Sequence, residues 1–281
     1  MFFSRKLLLS LIVFAWLGVS LTGCATTPNY MSSDGPRYVG VNHTRTPLDA
    51  HDGMPMFVSW NIKYARDIDG AIETFQNTPE LANADVILLQ EMDLDGVDAI
   101  SQALQLNYVY YPASVHPNTG RDFGEAILSP WPLYDDAKVI LPHGSIKNGQ
   151  IRIAARTYVQ IPDAVILAYS VHTETALLSP SKRRDQVDVL LDDVSRDVPY
   201  VVIGGDFNTV TPLERNALLK MMADSDFIWA TRDAGATVRE AGFGLIMDYI
   251  FVRGMEEKDA GAIDSEASDH LPLWAITRIS H

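Results

Sequence analysis

The sequence predicts a mixed α/β fold in which β-sheets pack together and helices cover them on the outside. Several short apolar runs rich in β-branched residues show no alternation, which is the pattern of strands buried on both faces. Segments with apolar residues at helical spacing lie between these runs. With 281 residues, 47% of them hydrophobic, the chain can form one large domain or two small ones. No internal repeat and no second domain boundary is visible.

Residues 1–23 are typical of a secretory signal peptide. Arg5 and Lys6 precede an apolar stretch over residues 7–21 that is too short for a comfortable membrane span. The stretch ends in Leu-Thr-Gly-Cys, which resembles the lipobox of bacterial lipoproteins. The resemblance implies that Cys24, the only cysteine, is lipidated and holds the protein on the outer membrane, facing the periplasm. The alternative is an incidental cysteine in a signal peptide or simple anchor.

Residues 24–55 are rich in Thr, Pro, Asn, Ser, Asp and Gly and show no periodicity. We therefore predict that this segment, starting at the lipidated Cys24, is a flexible tether between the bilayer and a folded domain at residues 56–281. His51 lies within the tether, and we interpret it as a surface residue rather than as a ligand.

In the first half of the domain, the strongly apolar strands end in polar residues. A strand over 56–60 delivers Asn61, and a strand over 84–89 ends in Gln90 and Glu91. The other elements predicted here are helices over 67–77 and 97–104, and strands over 108–111, 124–128 and 151–161.

The second half repeats this arrangement. A buried strand over 165–171 delivers His172, and a helix with an apolar stripe begins at Pro180, capped by Ser179. A further helix runs from Thr211 to about residue 222. Two more strands are predicted: one over 246–252, with Asp248 inside it, and one over 271–276.

A central strand over 200–203 is followed by Gly204, Gly205, Asp206 and Asn208. The glycines predict a sharp turn at the end of this strand, so that Asp206 and Asn208 emerge at the rim of a sheet, where α/β folds bind ligands. A carboxylate and a carboxamide suit a water molecule, a metal ion or a phosphate oxygen. The alternative is an Asx-type turn that only closes the strand.

Six motifs along the chain carry a resemblance to a known family. They are Trp60-Asn61, Gln90-Glu91, His172, Gly205-Asp206-Phe207-Asn208, Met247-Asp248-Tyr249-Ile250 and Ser268-Asp269-His270. In order and character they resemble the endonuclease/exonuclease/phosphatase superfamily, over Met56 to about Thr277. The resemblance implies a deoxyribonuclease I-like, four-layered α/β sandwich of two packed mixed β-sheets flanked by helices. It also implies divalent-metal-dependent hydrolysis of phosphoester bonds.

The resemblance also suggests a role for each carboxylate and amide. Glu91 is the leading ligand for Mg²⁺, with Mn²⁺ as an alternative, and Asn61 and Asp269 assist it. Asp206 and Asn208 position the attacking water and a phosphate oxygen, and Asp206 is also a candidate general base.

Two histidines complete the predicted site. As in the superfamily, Asp248 orients His270 and favours its protonated form, which can stabilise the phosphoryl oxygens. For His172 we hypothesise a second acid/base pair with Glu125, a position where many superfamily members have Asn and the deoxyribonuclease I type has Glu. The Arg183-x-x-Gln186 pattern resembles one of the family and is interpreted as support for the fold.

The substrate is left open by the sequence. A formal charge of -14 and the lack of a basic stripe with interleaved aromatics do not favour long nucleic acid. We expect a monomer that hydrolyses a phosphodiester or phosphomonoester, with nuclease-like activity among the alternatives. The competing hypothesis is a superfamily member that has lost catalysis and acts as an anchored binding or envelope-assembly protein. The joint presence of Glu91, Asp206 and His270 argues against it.

Overall fold

The computed structural model of the chain describes residues 27–42, 51–162, 164–175, 180–240 and 243–279. The predicted signal peptide, Cys24 and the predicted helix cap Ser179 lie outside these residues. The strands are β1 (Tyr38–Gly40), β2 (Met56–Asn61), β3 (Val86–Met92), β4 (Asn107–Val115), β5 (Asp122–Ser129), β6 (Leu133–Leu141), β7 (Arg152–Ile161), β8 (Ala164–His172), β9 (Tyr200–Asp206), β10 (Ile228–Trp229), β11 (Val238–Glu240), β12 (Phe243–Leu245), β13 (Asp248–Arg253), β14 (Met255–Ala262) and β15 (Leu273–Ile279). The helices are α1 (Ile68–Asn77), α2 (Pro79–Ala82), α3 (Leu94–Leu104), α4 (Pro180–Asp193) and α5 (Pro212–Asp224).

The predicted four-layered sandwich is confirmed. One sheet has the strand order β1-β4-β5-β3-β2-β15-β14, and the other has the order β10-β13-β9-β8-β7-β6. Their inner faces share one apolar core, to which Phe57, Leu88, Ile166 and Val202 contribute. Helices α1 to α3 pack on the outer face of the first sheet and α4 and α5 on that of the second, each over its own apolar cluster. Every sheet face in the sandwich is therefore covered.

The helices begin where the sequence supplies caps. The side chain of Asp67 accepts a hydrogen bond from the Gly70 amide at the start of α1, and Asp93 does the same for α3. A capping box of Thr211 and Glu214 opens α5. These side chains satisfy backbone N–H groups that have no partner within a helix.

The two sheets bring their functional strand ends to one side of the molecule. β2 pairs in parallel with β3, and β8 pairs in parallel with β9. The carboxyl ends of β3, β8 and β9, marked by Glu91, His172 and Asp206, define what we term the mouth end, and the opposite side is the far end. The antiparallel pairing of β4 and β5 places the end of β4 and the start of β5 at the mouth end as well.

The prediction of a flexible tether is wrong for residues 27–42, which we term the N-terminal strap. β1 pairs with β4 at the edge of the first sheet, and Arg37 makes a bidentate ion pair with Asp136 at 2.6 Å. The buried Lys138 Nζ donates to the carbonyl oxygens of Tyr30 and Gly35. Composition alone misses this segment because its bonds are made by backbone and by polar side chains rather than by an apolar stripe.

The interpretation of His51 as a surface residue is also wrong. Its side chain is 6% exposed, and its Nε2 lies 3.4 Å from Asp85 Oδ1. Its ring also packs edge-on against Trp131. His51 therefore belongs to the packing at the far end, where the chain enters β2.

Two predicted details of the strands differ from the structure. β9 continues through both glycines to Asp206, so Gly204 and Gly205 do not form a turn. A Cβ on Gly205 would lie 1.9 Å from the Val171 carbonyl oxygen, and one on Gly204 would lie 2.6 Å from Leu88 Cδ1. These glycines therefore permit close packing of β9 against β8 and the facing sheet. The edge strands β6 and β14 were not predicted, because their charged residues interrupt any apolar run.

None of the helices within the described ranges is both long and apolar enough to cross a membrane.

Candidate active site

The mouth end gathers the polar side chains that follow the apolar strands. Asn61 ends β2, His172 ends β8 and Asp206 ends β9, while Asp248 begins β13 and pairs with Asp206 in register. All four side chains are buried. The sequence located these residues because each lies in or directly after an apolar run, and the structure brings together one strand end of the first sheet and three of the second.

Glu91 reaches the site through a break in the ladder. The pairing of β3 with β5 shifts register between Leu89 and Met92, and Glu91 has φ of 60°. Gln90 meanwhile donates hydrogen bonds to the Leu88 carbonyl and the Ser170 hydroxyl, bracing the space between the sheets. The bulge turns Glu91 toward the mouth, and its Oε2 accepts a hydrogen bond from the Tyr64 amide at 3.2 Å.

Asp206 is the centre of the site. Its Oδ2 accepts a hydrogen bond from Asn61 Nδ2 at 3.1 Å, and it lies 3.6 Å from His172 Nε2 and 3.8 Å from His270 Nε2. Burial raises the pKa of the Asp206 carboxyl to about 7, although the charge of His270 opposes the rise. Near neutral pH this carboxyl can therefore accept or release a proton.

Asp206 forms the Asx-type turn that the sequence left as an alternative, and it also takes part in the site. Asp206 Oδ1 accepts a hydrogen bond from the Asn208 amide at 2.9 Å, and Asn208 has φ of 50°. The Asn208 side chain donates from Nδ2 to the Thr173 carbonyl at 3.3 Å. One carboxylate oxygen thus fixes the turn, and the other faces Asn61 and the two histidines.

His270 and Asp248 form the predicted pair. His270 Nδ1 lies 2.8 Å and 3.0 Å from the two carboxylate oxygens of Asp248. Asp248 Oδ2 also accepts a hydrogen bond from the Thr237 hydroxyl at 2.6 Å. Burial lowers the pKa of His270, but the carboxylates of Asp248 and Asp206 outweigh it and raise the pKa to about 10. The imidazole is therefore a cation at neutral pH, as predicted.

His172 has different carboxylate neighbours from the predicted one. Its Nε2 lies 3.8 Å from Glu91 Oε1 and 3.6 Å from Asp206 Oδ2. No carboxylate oxygen of Glu125 lies within 4.0 Å of the ring nitrogens. The direct pair with Glu125 is therefore not formed. Burial, together with the charges of Arg152 and His270, holds the pKa of His172 well below its usual range, so the ring is neutral. Its Nδ1 is buried without a hydrogen-bond partner, so a proton on Nε2 faces the two carboxylates.

Glu125 is a buried carboxyl whose Oε2 has no hydrogen-bond partner. Burial raises its pKa well above the usual range, and the neighbouring charges of Glu91 and Asp206 add to this rise, while Arg152 opposes it. Glu125 therefore lies within the electrostatic reach of the site, and burial favours its neutral form.

Arg152 is the residue that sequence reasoning missed. It begins β7, its side chain is 5% exposed, and its Nε and Nη1 are buried without hydrogen-bond partners. Its guanidinium lies 5.4 Å from the ring centre of Phe123, and Nε is 3.9 Å from Glu174 Oε2. The only sequence signal is a basic residue at the start of an apolar strand, the counterpart of the acidic residues at the other strand ends. An arginine buried with free N–H groups is suited to bind an anion.

The Arg183 and Gln186 pattern supports the neighbouring loops. Gln186 accepts from the Glu174 amide at 2.8 Å and donates to the Pro142 carbonyl at 2.8 Å. Arg183 is ion-paired with Glu214 and donates to the Thr175 carbonyl. These contacts hold the segments around the mouth, which agrees with the predicted structural interpretation.

The predicted metal ligands provide suitable oxygen donors. Asn61 Oδ1 is buried without a partner, because Nδ2 is the atom that faces Asp206. Glu91 lies beside it, and burial raises the pKa of its carboxyl, a cost that a bound cation would relieve. Asp269 is half-exposed and ion-paired with Lys63, so Lys63 must shift if this carboxylate is to join them. The donor set fits a hard divalent cation.

A second group of possible ligands consists of Asp206, Asp248 and His270, whose donor atoms lie within 4.8 Å of one another. Here a cation would have to displace the proton that His270 shares with Asp248, and the raised pKa of His270 opposes that loss. The oxygen donors of Glu91 and Asn61 do not carry this cost.

Comparison with known proteins gives a family and a fold. The model described as the Endonuclease/Exonuclease/phosphatase family matches residues 58–270, more than half of the chain. A UPF0294 protein of Yersinia pseudotuberculosis is 28% identical over 109 residues, 39% of this chain and 41% of that protein. The match thus spans less than half the length of this relative.

Solved structures resemble the chain over most of its length. An endonuclease/exonuclease/phosphatase of Beutenbergia cavernae aligns with a TM-score of 0.67 at 19% identity, covering 81% of this chain and 72% of that one. D. rerio TDP2, in complex with a single-strand DNA product, aligns at 0.62 and 14% identity, over 81% and 100%. The Bacteroides thetaiotaomicron mannosyl-6-phosphatase aligns at 0.59 and 14% identity, over 79% and 99%. At these identities the likeness supports the fold alone.

Proposed function

We propose that this chain, which belongs to the endonuclease/exonuclease/phosphatase family, is a divalent-metal-dependent phosphoesterase. The observation that carries the proposal is the arrangement around Asp206, whose carboxylate faces an amide, a neutral histidine and a cationic histidine at distances of 3.1, 3.6 and 3.8 Å. A binding module has no need for a carboxyl with a pKa near 7 beside two histidines in opposite charge states.

Asp206 is the proposed general base. Its Oδ2 is held by Asn61, and its ionised form can take a proton from a water molecule placed beside it. Asn208 fixes the carboxylate through its backbone amide, so the base is oriented before substrate arrives. Its proposed contribution to positioning the water is therefore made through Asp206.

The two histidines act on different parts of the substrate. Cationic His270, held by Asp248, can donate from Nε2 to a phosphoryl oxygen as negative charge accumulates there. Neutral His172 presents Nε2–H between Glu91 and Asp206 and can orient both carboxylates. Glu125, which does not contact it directly, is proposed to keep its proton and to tune the charge of this side of the site.

Glu91 and Asn61 are the proposed ligands of the cation, with Asp269 as a third after exchange from Lys63. A bound Mg²⁺ or Mn²⁺ would neutralise charge on the phosphoryl oxygens and on the departing oxygen. Arg152, with two unpartnered N–H groups, is proposed to bind the same phosphate from the opposite side.

Substrate identity and location are further parts of the proposal. Relatives of the fold include a mannosyl-6-phosphatase and a protein bound to a DNA product, so both a monoester and a diester merit testing. We propose that lipidation of Cys24 attaches the enzyme, as a monomer, to the periplasmic face of the outer membrane. The excess of acidic residues argues against long nucleic acid as the substrate.

The test is hydrolysis of bis(p-nitrophenyl) phosphate and of p-nitrophenyl phosphate by the detergent-purified chain, with Mg²⁺ or Mn²⁺ and with EDTA. Turnover that needs the metal, and that falls about 10²- to 10⁴-fold in Asp206→Asn, is expected from the loss of a general base. Absence of metal-dependent turnover on these esters and on DNA, sphingomyelin and phosphoinositides would favour the lapsed, binding-only alternative.

A stability readout tests the ligands independently of turnover. A cation at ten times its Kd stabilises the fold by about 1.4 kcal/mol, so Mg²⁺ should raise the melting temperature. Glu91→Gln should remove this increase, whereas Glu73→Gln, an exposed residue of α1 on the outer face of the first sheet, should retain it. An equal increase in both variants would show that the cation binds elsewhere.

A further inference from the structure

The N-terminal strap begins at the mouth end of the domain. The Thr27 amide donates to the Asn148 carbonyl, and the Val115 amide donates to the Pro28 carbonyl. Asn148 lies four residues before Arg152, and Val115 is followed by His116, whose ring stacks on Tyr64 at 4.2 Å. Tyr64 in turn donates its amide to Glu91. Three successive contacts therefore connect the start of the strap to Glu91.

From there the strap runs away from the mouth. Asn29 bridges to Ser114 near the end of β4, and Tyr38 to Gly40 pair with Tyr110 to Tyr108 further back along that strand. Ser114 and Tyr108 are six residues apart on β4, so at about 3.4 Å per residue the strap runs roughly 20 Å along this strand. The chain therefore enters the domain at the mouth end and reaches the far end only at Val41.

The position of Thr27 limits where Cys24 can lie. Three residues span at most about 11 Å even when fully extended. If Cys24 carries lipid, the bilayer surface must therefore come within that reach of Thr27. A free tether of about thirty residues would have allowed any orientation, but the docked strap leaves only three residues of slack.

Exposed apolar side chains occur at both ends of the domain, Val41 at the far end among them, and two of them lie at the mouth end, where the short tether would bring the bilayer. Ile146 is 71% exposed at the tip of the loop before β7, beside the exposed Lys147, and Leu213 is 81% exposed at the start of α5. Ile146 follows β6 and Leu213 follows β9, and both of these strands finish at the mouth end. An isoleucine and a leucine with an adjacent lysine suit the boundary between headgroups and acyl chains.

We infer that the mouth end of this domain rests on the bilayer that holds Cys24, with Ile146 and Leu213 in contact with the lipid surface. The inference rests on the proposed lipidation and names the surface on which the proposed phosphoesterase works. Its substrates are then phosphoesters presented at that membrane surface, whether on lipid headgroups or on small molecules close to them.

The test uses the full lipidated chain in vesicles of phosphatidylethanolamine and phosphatidylglycerol. Because Cys24 is the only cysteine and the lipid consumes it, Ile146→Cys or Val41→Cys introduces a single site for a fluorescent probe. Val41 is a matched control, since it is 83% exposed and lies at the far end. Spin-labelled lipid should quench the probe at position 146 several-fold more than the probe at position 41.

A second variant lengthens the slack by inserting about twenty Gly and Ser residues between Ala25 and Thr26. Quenching at position 146 should fall toward that at position 41, while turnover of bis(p-nitrophenyl) phosphate in solution stays unchanged. Equal quenching at the two positions in the uninserted chain, or stronger quenching at position 41, would overturn the inference.

Flotation with the vesicles separates the possible failures. A chain that does not float refutes the lipidation and the inference with it. A chain that floats without preferential quenching at position 146 refutes the orientation alone. Turnover of the soluble diester reports on the proposed function in every case.

Discussion

The two sides of the site differ in how well their polar groups are partnered. On one side, Asp248 holds His270 through two short contacts and accepts a further hydrogen bond from Thr237. On the other side, Arg152 and Glu125 are as deeply buried, yet the Arg152 Nε and Nη1 and the Glu125 Oε2 have no hydrogen-bond partner. Asp206 lies between the two sides.

This difference indicates which polar groups of the site find their partners within the protein and which find them in bound ligands. A buried polar group without a partner costs about 1–3 kcal/mol, so such groups persist where something else supplies the partner. We infer that the His270 side is organised before binding, whereas the Arg152 side becomes satisfied when phosphate and cation enter. Enzymes place such unsatisfied groups where binding energy is used.

The largest expected effect is on the partnered side. In Asp248→Asn, His270 loses the carboxylate that orients it and holds it cationic, so kcat should fall about 10²- to 10⁴-fold. The free energy of unfolding should fall by about 2 kcal/mol with the loss of a charged hydrogen bond. Steady-state kinetics and urea unfolding measure the two. Unchanged kcat with reduced stability would make Asp248 purely structural.

A smaller effect on catalysis is expected on the unpartnered side, and it should appear in KM rather than in kcat. Arg152→Met removes two unsatisfied N–H groups, but it also leaves the buried Glu174 carboxyl, 3.9 Å from Nε, without its cationic partner, so the free energy of unfolding should fall by about 3 kcal/mol. KM for a phosphodiester should rise about 10- to 100-fold, the value of a charged hydrogen bond.

Arg152→Lys is the matched variant, because it keeps the charge but loses the planar fork. Its KM should lie between those of the parent and Arg152→Met. If Arg152→Met lost stability while KM stayed unchanged, Arg152 would be a counter-charge for Glu174 in the core and not a phosphate ligand.

The most gradual effect concerns pH and is measured on the metal-free protein in EDTA. The pKa of His270 is raised from its ordinary 6.5 to about 10, so the folded state holds a proton that the unfolded state has lost between these values. The resulting stabilisation is complete below pH 6.5 and is lost as the pH rises through about 10. Unfolding free energy should fall with a slope of at most about 1.4 kcal/mol per pH unit. The slope should be absent over this window in His270→Gln, and a parent protein with no slope would contradict the assignment.

The parts of the fold and site that could be predicted are those that leave a local pattern in the sequence. Strand ends such as Asn61, His172 and Asp206 were found because an apolar run that stops at a polar residue is visible in one dimension. The strands β6 and β14 were missed because edge strands carry charge. The strap was missed because its contacts are polar and remote in sequence. The pairing of His172 was predicted with the wrong carboxylate, since the β3 bulge that brings Glu91 toward it leaves no sequence pattern.

Hydrophobic periodicity and short motifs are local properties, so the packed sheets with outer helices, the order of the motifs and the residue types at the mouth could be read from the sequence. The four-layered sandwich followed from the family resemblance that the motifs carry. The surroundings of each site residue follow from the tertiary structure and not from the sequence pattern. The tertiary structure placed both oxygens of Asp206 in separate roles, made one histidine cationic and the other neutral, and buried Arg152 without partners. It also docked the strap beside the mouth. Charge states and unmet hydrogen bonds depend on burial and on neighbours far apart in the chain, and these exist only once the sheets have packed.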